Sequence, residues 1–329
     1  MTDAISAVLE TAPLDPALAG FLAQAAAQGN PPLETLPPPV ARQIYRDLSA
    51  GLGLPPPGHA TASDRTIDGP AGPLPLRIYR PEGAQGELPL LLFVHGGGFV
   101  IGDLETHDKV CRTLCHEVAA VVVAVDYRLA PEHPFPAAVD DVTRALRWVA
   151  AHARELGADP TRIAVAGDSA GAHLCAVAAL RVRETIAVAA VGLIYPVAQH
   201  YSEPSPSMVE NGEGKFLTTG VMKWFIDAYL GGRSELARHP EVALLHSPLL
   251  SALPPTWLAT MGHDPLRDEG HALAQRIAQA GVATEHRHYP GAIHACIHFT
   301  AVSPVGSQIM VDLAAWLRAR LSADDPSNL

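Results

Sequence analysis

The sequence predicts an α/β protein with a mostly parallel central sheet that is flanked by helices. From residue 60 onward, apolar runs of strand length recur along the chain. Segments with apolar residues at three- and four-residue spacing separate these runs and predict amphipathic helices. Hydrophobic residues make up 48% of the 329 residues, which is enough to bury both faces of a sheet. Strands that alternate with helices in this way are typical of βαβ units.

Residues 1–50 are predicted to be helical and to stand outside the alternating pattern. Three segments there carry the helical spacing of apolar residues: Ala4–Leu9, Leu18–Gln28 and Pro39–Leu48. Proline-rich breaks separate them. Because proline interrupts helices, each segment is predicted to be a helix of its own.

After residue 60, strand and helix signals alternate. Most of the predicted strands are near-continuous apolar runs, as strands buried on both faces require; the strands are Leu76–Tyr79, Leu88–Val94, Ala119–Val125, Arg162–Ala166, Ala189–Tyr195, Thr256–Met261 and Ala283–Tyr289. The predicted helices have apolar residues on one face; they are Thr106–Val118, Pro136–Leu156, Ala170–Arg183, Leu266–Ala280 and Gly306–Leu321.

Residues 200–248 interrupt this rhythm and are predicted to be an insertion. They contain a proline-rich stretch, Glu203–Pro206, and an aromatic helix around Trp224 and Phe225. Together with residues 1–50 they are numerous enough to form a helical cap over the carboxyl edge of the sheet, where ligands bind in open α/β sheets. We therefore expect an α/β domain in two parts, residues 51–199 and 249–329, and a cap made of residues 1–50 and 200–248.

Charge and cysteine content exclude several classes of protein. The net charge is −11, and the 23 lysine and arginine residues do not cluster, so we expect no basic patch of the kind that a nucleic acid or an anionic membrane surface requires. The four cysteines are too few and too scattered for a disulfide framework and do not have zinc spacing, so we expect reduced thiols and no metal ion. The longest mostly apolar stretch, Ile186–Ala198, is too short to span a bilayer, and no basic region of a signal peptide is evident, which favours a cytoplasmic location.

The strongest local signal is Gly167-Asp168-Ser169-Ala170-Gly171, which fits G-x-S-x-G. The motif follows a predicted strand and opens an alanine-rich helix, which is the context of a nucleophile elbow. A turn this sharp brings backbones close together, so any Cβ at the two glycines would clash. Ser169 is therefore the predicted nucleophile, and the alternative is a serine that only caps a helix in a tight β–α turn.

A second motif, His95-Gly96-Gly97-Gly98-Phe99, follows another apolar run. Consecutive glycines expose backbone N–H groups, which acyl transfer needs for its developing oxyanion. The predicted donors are the N–H groups of Gly97 and Gly98, together with that of Ala170 after the nucleophile. A phosphate-binding loop is disfavoured because no Gly-Lys-Ser/Thr sequence follows the glycines.

A serine nucleophile needs a general base and an acid that orients the base. Asp264 lies just past the predicted strand Thr256–Met261 and is the predicted acid, whereas Asp268 and Glu269 are expected in the first turn of a helix. The predicted base is His294, which a turn at residues 290–293 is expected to place on a loop at the same edge. Structural roles are predicted for His95, which would hold the glycine loop, and for His298, which would pack on a helical turn. His286 and His288 share one face of the last predicted strand, but no third metal ligand is evident beside them.

With these residues, the chain resembles the bacterial hormone-sensitive-lipase family of esterases over residues 75–320. The resemblance rests on both glycine motifs, on Asp264–Glu269 and Tyr289–His294, and on the long signature Asp126–Ala138, which is expected to brace the floor of the site. It implies an α/β-hydrolase fold with a helical cap, and hydrolysis of short- to medium-chain carboxylic esters without a metal or cofactor. It also implies the triad and the oxyanion donors, which are Ser169, Asp264, His294, Gly97, Gly98 and Ala170.

One departure from the family is visible. The family has a glycine and an aromatic residue after the catalytic histidine, whereas this chain has Ala295 and Cys296, which predicts an altered acyl pocket. The candidates for lining the pocket, with simple packing of the cap as the alternative, are Phe21, Tyr45, Pro204, Pro206, Phe216, Trp224 and Phe225.

Two other functions fit the same residues. One is a non-catalytic receptor for a small molecule, such as the plant gibberellin receptors, which resemble the family but have lost the catalytic histidine; here all three triad positions are filled. The other is a lactonase, amidase or peptidase, because triad chemistry does not separate esters from activated amides. The physiological ester and the oligomeric state do not follow from the sequence, which allows a homodimer through the last strand and the helix Gly306–Leu321.

Overall fold

The computed structural model describes residues 9–322, so the predicted helix Ala4–Leu9 lies, except for Leu9, outside the described residues. The helices are α1 (Pro16–Ala27), α2 (Pro38–Leu52), α3 (Asp108–Val118), α4 (Ala137–His152), α5 (Ala170–Val182), α6 (Pro206–Glu210), α7 (Thr219–Leu230), α8 (Arg267–Gln279) and α9 (Val305–Arg320). The strands are β1 (Ala60–Gly69), β2 (Gly72–Pro81), β3 (Leu88–Val94), β4 (Val121–Val125), β5 (Ala158–Asp168), β6 (Ala190–Ile194), β7 (Thr256–His263) and β8 (Thr284–Ile293).

The strands of the described residues form one eight-stranded sheet in the order β1-β2-β4-β3-β5-β6-β7-β8. From β4 to β8 every neighbouring pair is parallel, whereas β2 pairs antiparallel with both β1 and β4. Parallel neighbours need crossover connections, and α3, α4, α5 and α8 lie in those connections. The predicted mostly parallel sheet with flanking helices is therefore confirmed.

Helices cover both faces of the sheet. One core contains side chains of α4, α5 and α8, among them Leu146, Ala176 and Ile277. The other contains side chains of α3 and α9, such as Leu114 and Leu313. All residues of β4 and β6 are buried, which is why these strands appear as near-continuous apolar runs in the sequence.

Strand β1 is missing from the elements that the sequence predicts. Of its ten residues only Ile67 is buried, because the strand forms the edge of the sheet and most of its side chains face solvent. Its pairing with β2 is antiparallel and continues through a tight turn at Gly69 and Gly72. A solvent-facing edge strand has no need of an apolar pattern, so the pattern could not reveal it.

The predicted turn at residues 290–293 is wrong, because β8 continues through it and His294 is the first residue after the strand. The pairing of β8 with β7 shifts register between Met261 and His263. At the intervening Gly262, a Cβ would lie 1.8 Å from the carbonyl oxygen of Pro290. The irregularity lets the outermost strand accommodate a proline.

The predicted site residues follow the ends of four parallel strands. His95, Ser169, Asp264 and His294 come directly after β3, β5, β7 and β8. Because the carboxyl ends of parallel strands lie at one edge of the sheet, these residues share that edge.

Segments outside the βαβ pattern complete this edge. Residues of α1, α2 and the stretch 197–226 line a cavity beside Ser169. The division of the chain into a two-part α/β domain and a cap stays a prediction. No helix within the described part of the chain combines the length and the apolar character needed to cross a membrane.

Candidate active site

Ser169 lies in the turn between β5 and α5, in a backbone conformation with φ 53° and ψ −120°. Two glycines make room for this turn. A Cβ on Gly167 would lie 2.5 Å from the carbonyl oxygen of Val94, and a Cβ on Gly171 would lie 2.0 Å from the same atom. The predicted steric reason for both glycines of the motif is therefore confirmed.

Three side chains from different strand ends form one hydrogen-bonded chain. Nδ1 of His294 lies 2.7 Å from Oδ2 of Asp264, and Nε2 of His294 lies 3.0 Å from Oγ of Ser169. A carboxylate can only accept, so His294 donates through Nδ1–H and keeps a lone pair on Nε2 for the serine hydroxyl. Exposure is 7% for Ser169, 5% for His294 and 0% for Asp264, which excludes most competing water.

The structure brings Asp264, and not Asp268, to His294. The second carboxylate oxygen of Asp264 accepts the backbone N–H of Leu266 at 2.8 Å, which fixes its orientation. Asp268 lies in the first turn of α8, as predicted, and accepts the N–H of Ser207 at 2.8 Å. Its carboxylate therefore holds the segment around α6.

Glu269, also in the first turn of α8, supports a wall of the site. Its Oε1 accepts the N–H of Ala198 at 2.7 Å and that of Gln199 at 3.4 Å. Burial raises the pKa of Glu269 to about 8, against the lowering effect of these two hydrogen bonds. Because Gln199 lines the cavity, Glu269 fixes part of the cavity wall.

The glycine loop after β3 presents backbone N–H groups beside Ser169. Gly97 and Gly98 have φ values of 116° and 60°, and both line the same cavity as Ser169. Among the described residues, neither N–H group has a hydrogen-bond acceptor. Ala170 is the first residue of α5, where N–H groups have no partner within the helix. All three N–H groups are thus available to an anionic oxygen.

His95 holds the glycine loop, in agreement with its predicted structural role. Its Nδ1 lies 2.8 Å from the carbonyl oxygen of Gly96, and its ring stacks on Tyr127 with the centroids 4.2 Å apart. The hydroxyl of Tyr127 also donates to the carbonyl oxygen of His95 at 2.9 Å. Burial lowers the pKa of His95 to about 4, so the ring is neutral. Tyr127 belongs to the signature Asp126–Ala138, which therefore contacts the glycine loop through this residue.

Asp168 anchors the same loop from the position before the nucleophile. Its Oδ1 accepts the N–H of Gly96 at 2.8 Å. Nε2 of His107 lies 3.1 Å from Oδ1, and Nε2 of His298 lies 4.0 Å from Oδ2. Burial opposes ionisation, but the two imidazoles outweigh it and hold the pKa of Asp168 below its usual range. His298 does lie in a helical turn, as predicted, but sequence reasoning missed this cluster because its members come from three distant segments.

A cavity of about 470 Å³ opens beside Ser169. Its walls come from the glycine loop, from α1, α2 and the residues between them, and from residues 197–226. Most lining side chains are apolar, such as Leu33, Ile44, Leu217 and Ile226, and no lysine or arginine lies among the described lining residues. An apolar wall with a few polar groups near the serine suits an uncharged ligand.

The residues predicted as candidates for lining the cavity divide into two groups. Those that line it are Tyr45, Phe216 and Phe225. Those that do not are Phe21, Trp224, Pro204 and Pro206. Phe21 packs against Phe299 and Trp224 against Phe225, with ring centroids 5.0 Å and 5.1 Å apart, so packing explains these two.

Ala295 and Cys296 replace the glycine and the aromatic residue that the resembling family has after its catalytic histidine. Ala295 has φ 62°, a left-handed conformation that glycine adopts more easily, and it lines the cavity. Cys296 is fully buried and does not line the cavity; its Sγ lies 3.8 Å from Sδ of Met261. The thiol therefore packs behind the site and does not shape the pocket directly.

Comparisons with known proteins identify similar sequences. Residues 91–298 match the sequence profile of a family described as alpha/beta hydrolase fold. The chain is 42% identical over 251 residues to the esterase LipI of Mycobacterium tuberculosis, covering 74% of this chain and 78% of that protein. It is 35% identical over 271 residues to an ethyl acetate hydrolase of Pseudomonas putida, covering 80% of this chain and 84% of that protein.

Solved structures extend the likeness to nearly the whole chain. A hyperthermophilic esterase from the archaeon Pyrobaculum calidifontis superimposes with a TM-score of 0.89 and 39% identity, covering 94% of this chain and 99% of that one. A thermostable esterase from Pseudomonas putida superimposes with a TM-score of 0.91 and 34% identity, covering 96% and 100%.

Proposed function

The chain belongs to the alpha/beta hydrolase fold family, as its resemblance to the bacterial hormone-sensitive-lipase esterases predicts, and on that premise we propose that it is a serine carboxylesterase. The proposed substrates are small esters of short- to medium-chain carboxylic acids. The observation that carries the proposal is the hydrogen-bonded chain from Asp264 through His294 to Ser169, next to an apolar cavity.

In the proposed mechanism, Nε2 of His294 takes the hydroxyl proton of Ser169 while Oγ attacks the ester carbonyl carbon. Asp264 keeps the other proton of His294 on Nδ1 and stabilises the imidazolium that forms. The negative charge that develops on the carbonyl oxygen accepts hydrogen bonds from the N–H groups of Gly97, Gly98 and Ala170.

The tetrahedral intermediate then collapses. His294 gives its Nε2 proton to the leaving alcohol, and the acyl group stays on Oγ of Ser169. The same imidazole next takes a proton from water, which attacks the acyl carbon. His294 returns that proton to Oγ of Ser169 as the acyl–oxygen bond breaks and the carboxylic acid leaves. The catalytic groups in these steps are side chains and backbone N–H groups of this chain, and water is the second substrate.

The first test measures hydrolysis of p-nitrophenyl esters of increasing chain length by the unaltered protein and by Ser169→Ala. We expect Ser169→Ala to lower kcat on the order of 10⁶-fold, because the nucleophile is lost. A fluorophosphonate should add to the unaltered protein and not to the variant, as measured by mass spectrometry. Substantial turnover by a well-folded Ser169→Ala protein would contradict the proposal.

The same reagents test the alternative functions. A small-molecule receptor would show neither turnover nor a fluorophosphonate adduct on Ser169. An amidase would hydrolyse the amide with the same acyl group as well as the ester, whereas we expect measurable turnover of the ester alone, because the amine of an amide is a much poorer leaving group.

A further inference from the structure

A cluster of side chains that could bind a metal ion lies beside the nucleophile and is separate from the triad. One ligand atom each of His107, Asp168 and His298 lies within 4.8 Å of the others, and all three side chains are buried. We propose that these three side chains bind a divalent transition-metal ion of the Zn²⁺ type and that the bound ion inhibits the enzyme. The binding half goes beyond the proposed esterase function, and only the inhibition half depends on it.

The tautomer of His107 provides the first argument. The hydroxyl of Thr106 donates its single hydrogen to the carbonyl oxygen of Asp103 at 2.8 Å, and the same hydroxyl oxygen lies 2.8 Å from Nδ1 of His107. With that hydroxyl donating to Asp103, Nδ1–H of His107 is the donor to it, and a neutral ring then carries its lone pair on Nε2. That lone pair faces Oδ1 of Asp168 at 3.1 Å. Two acceptors at this distance need a cation between them, either a proton or a metal ion.

The alignment of these two atoms favours a metal ion. Nε2 of His107 is buried and makes no hydrogen bond of acceptable angle, although Oδ1 of Asp168 is within reach. A Zn²⁺ ion about 2.1 Å from both atoms would subtend an angle of about 95–100° and so lie off the line between them. The lone pair on Nε2 of His107 is not directed at Oδ1 of Asp168, which is the arrangement that an ion beside the line between the two atoms requires.

His298 supplies the third ligand. Its Nε2 lies 4.0 Å from Oδ2 of Asp168 and 3.1 Å from the hydroxyl of Tyr45. The three ligand atoms lie within 4.8 Å of one another, whereas ligand atoms around tetrahedral Zn²⁺ are ~3.4 Å apart, so binding requires His298 to move towards the other two ligands by up to ~1.4 Å. The fourth position falls to Tyr45 or to water.

The donor set and its access select the kind of ion. Two imidazoles and one carboxylate suit Zn²⁺, Co²⁺ or Cu²⁺, whereas Mg²⁺ and Ca²⁺ prefer oxygen ligands alone. Asp168 and Tyr45 both line the substrate cavity, so an ion can reach the cluster from there.

Inhibition follows from the role of Asp168 in the glycine loop. Its Oδ1 accepts the N–H of Gly96, next to the proposed oxyanion donors Gly97 and Gly98. An ion that coordinates Oδ1 competes with this hydrogen bond and turns the carboxylate towards His107 and His298. The loop loses this one of its anchors, and the N–H groups of Gly97 and Gly98 shift away from the oxyanion.

The test titrates the full-length, untagged and chelator-treated protein with Co²⁺ and with Zn²⁺. Uptake is measured by the visible d–d absorption of Co²⁺ and by calorimetry with Zn²⁺, and ester hydrolysis is followed in parallel. The site variants are His107→Gln and His298→Gln. The matched control is His286→Gln, which removes an imidazole from a pair outside the proposed site. Nε2 of His286 and Nδ1 of His288 each lie 2.9 Å from the hydroxyl oxygen of Thr260.

We expect one ion per chain, at least a tenfold loss of hydrolysis that EDTA reverses, and a Zn²⁺-dependent rise in Tm. Both site variants should lose at least ~10-fold in affinity, while the control binds as the unaltered protein does. Absence of uptake by the unaltered protein, or equal uptake by the site variants, would overturn the binding site, whatever the variants' stability. Binding without inhibition would overturn the inhibitory role. Because binding is measured without substrate, a failure of the esterase proposal would leave this result intact.

Discussion

Ser169 has a positive φ, which costs a residue with a Cβ roughly 1–3 kcal/mol. The surrounding backbone enforces this conformation, since Gly167 and Gly171 lie within contact distance of the β3 chain and leave no room for a relaxed turn. The strain has a direct consequence at the residue scale. It lifts Oγ out of the strand direction and presents it to the imidazole of His294.

Asp264→Asn tests which carboxylate orients the base. We expect this variant to lower kcat by about 10⁴-fold, because an asparagine amide no longer fixes the proton of His294 on Nδ1. The rate of p-nitrophenyl ester hydrolysis measures the effect. The matched control is Asp268→Asn, four residues further on, which should retain activity within about tenfold because its carboxylate contacts Ser207 and not His294. Equal losses in the two variants would contradict the assignment of Asp264.

At the scale of elements, one arginine ties α2 to the floor of the site. Arg42 donates from Nε to the carbonyl oxygen of Val100 at 2.8 Å and from Nη2 to that of Ala130 at 3.0 Å. It also forms an ion pair with Glu132 at 2.6 Å. The N-terminal helix that lines the cavity is thus attached to the segment after the glycine loop and to the signature Asp126–Ala138.

Arg42→Gln should loosen this attachment. We expect a loss of about 1–3 kcal/mol in the free energy of unfolding, because two carbonyl groups lose a charged donor. Urea unfolding measures this loss, and limited proteolysis should cut the chain between α1 and α2 faster. The control is Arg65→Gln, whose ion pair with Glu155 is exposed on both sides and should contribute under about 1 kcal/mol. Equal losses of stability in the two variants would contradict the proposed role of Arg42 in attaching α2.

Glu269 of helix α8 makes the stability of the folded protein depend on pH. Its pKa of about 8 in the folded protein exceeds the usual glutamate value of about 4.3, so the folded chain holds a proton that the unfolded chain releases between these pH values. The contribution of protonated Glu269 to the free energy of unfolding is fully present below about pH 4 and is lost as the pH rises through about 8.

Glu269→Gln removes this titration while keeping an uncharged side chain of the same shape. We expect the variant to gain stability relative to the unaltered protein as the pH rises from about 5 to about 9, measured by urea unfolding at several pH values. Glu285→Gln, on the partly exposed surface of β8, should show no such trend. A pH-independent difference for Glu269→Gln would show that the buried carboxyl does not titrate in this range.

At the scale of the whole molecule, β1 and β8 are the outer strands of the described sheet. An outer strand leaves backbone N–H and C=O groups without a neighbour, which favours pairing with a second chain. The homodimer through β8 and α9, and a cytoplasmic location, stay predictions. Sedimentation velocity should give twice the chain mass of 34.7 kDa, and a monomer at every concentration would contradict the dimer.

The sequence by itself determined the features that depend on local physics. The glycines of the elbow are required by backbone contact, and the apolar runs by burial of strands on both faces. The order of strands and helices and the family motifs followed from such short-range signals. They also singled out Ser169 and Asp264, which come just after predicted strands, and His294, which the sequence assigned to a loop at the same edge of the sheet.

Only the tertiary structure decided what depends on register and on packing between distant segments. The course of β8 past Pro290 is set by its irregular pairing with β7, and no local pattern encodes that pairing. Edge strand β1 has no apolar pattern because solvent covers it. The cluster of His107, Asp168 and His298, and the cavity wall that α2 shares with α7, arise where three or more segments meet. Such contacts leave no periodic signal, because neighbours in space are not neighbours in the chain.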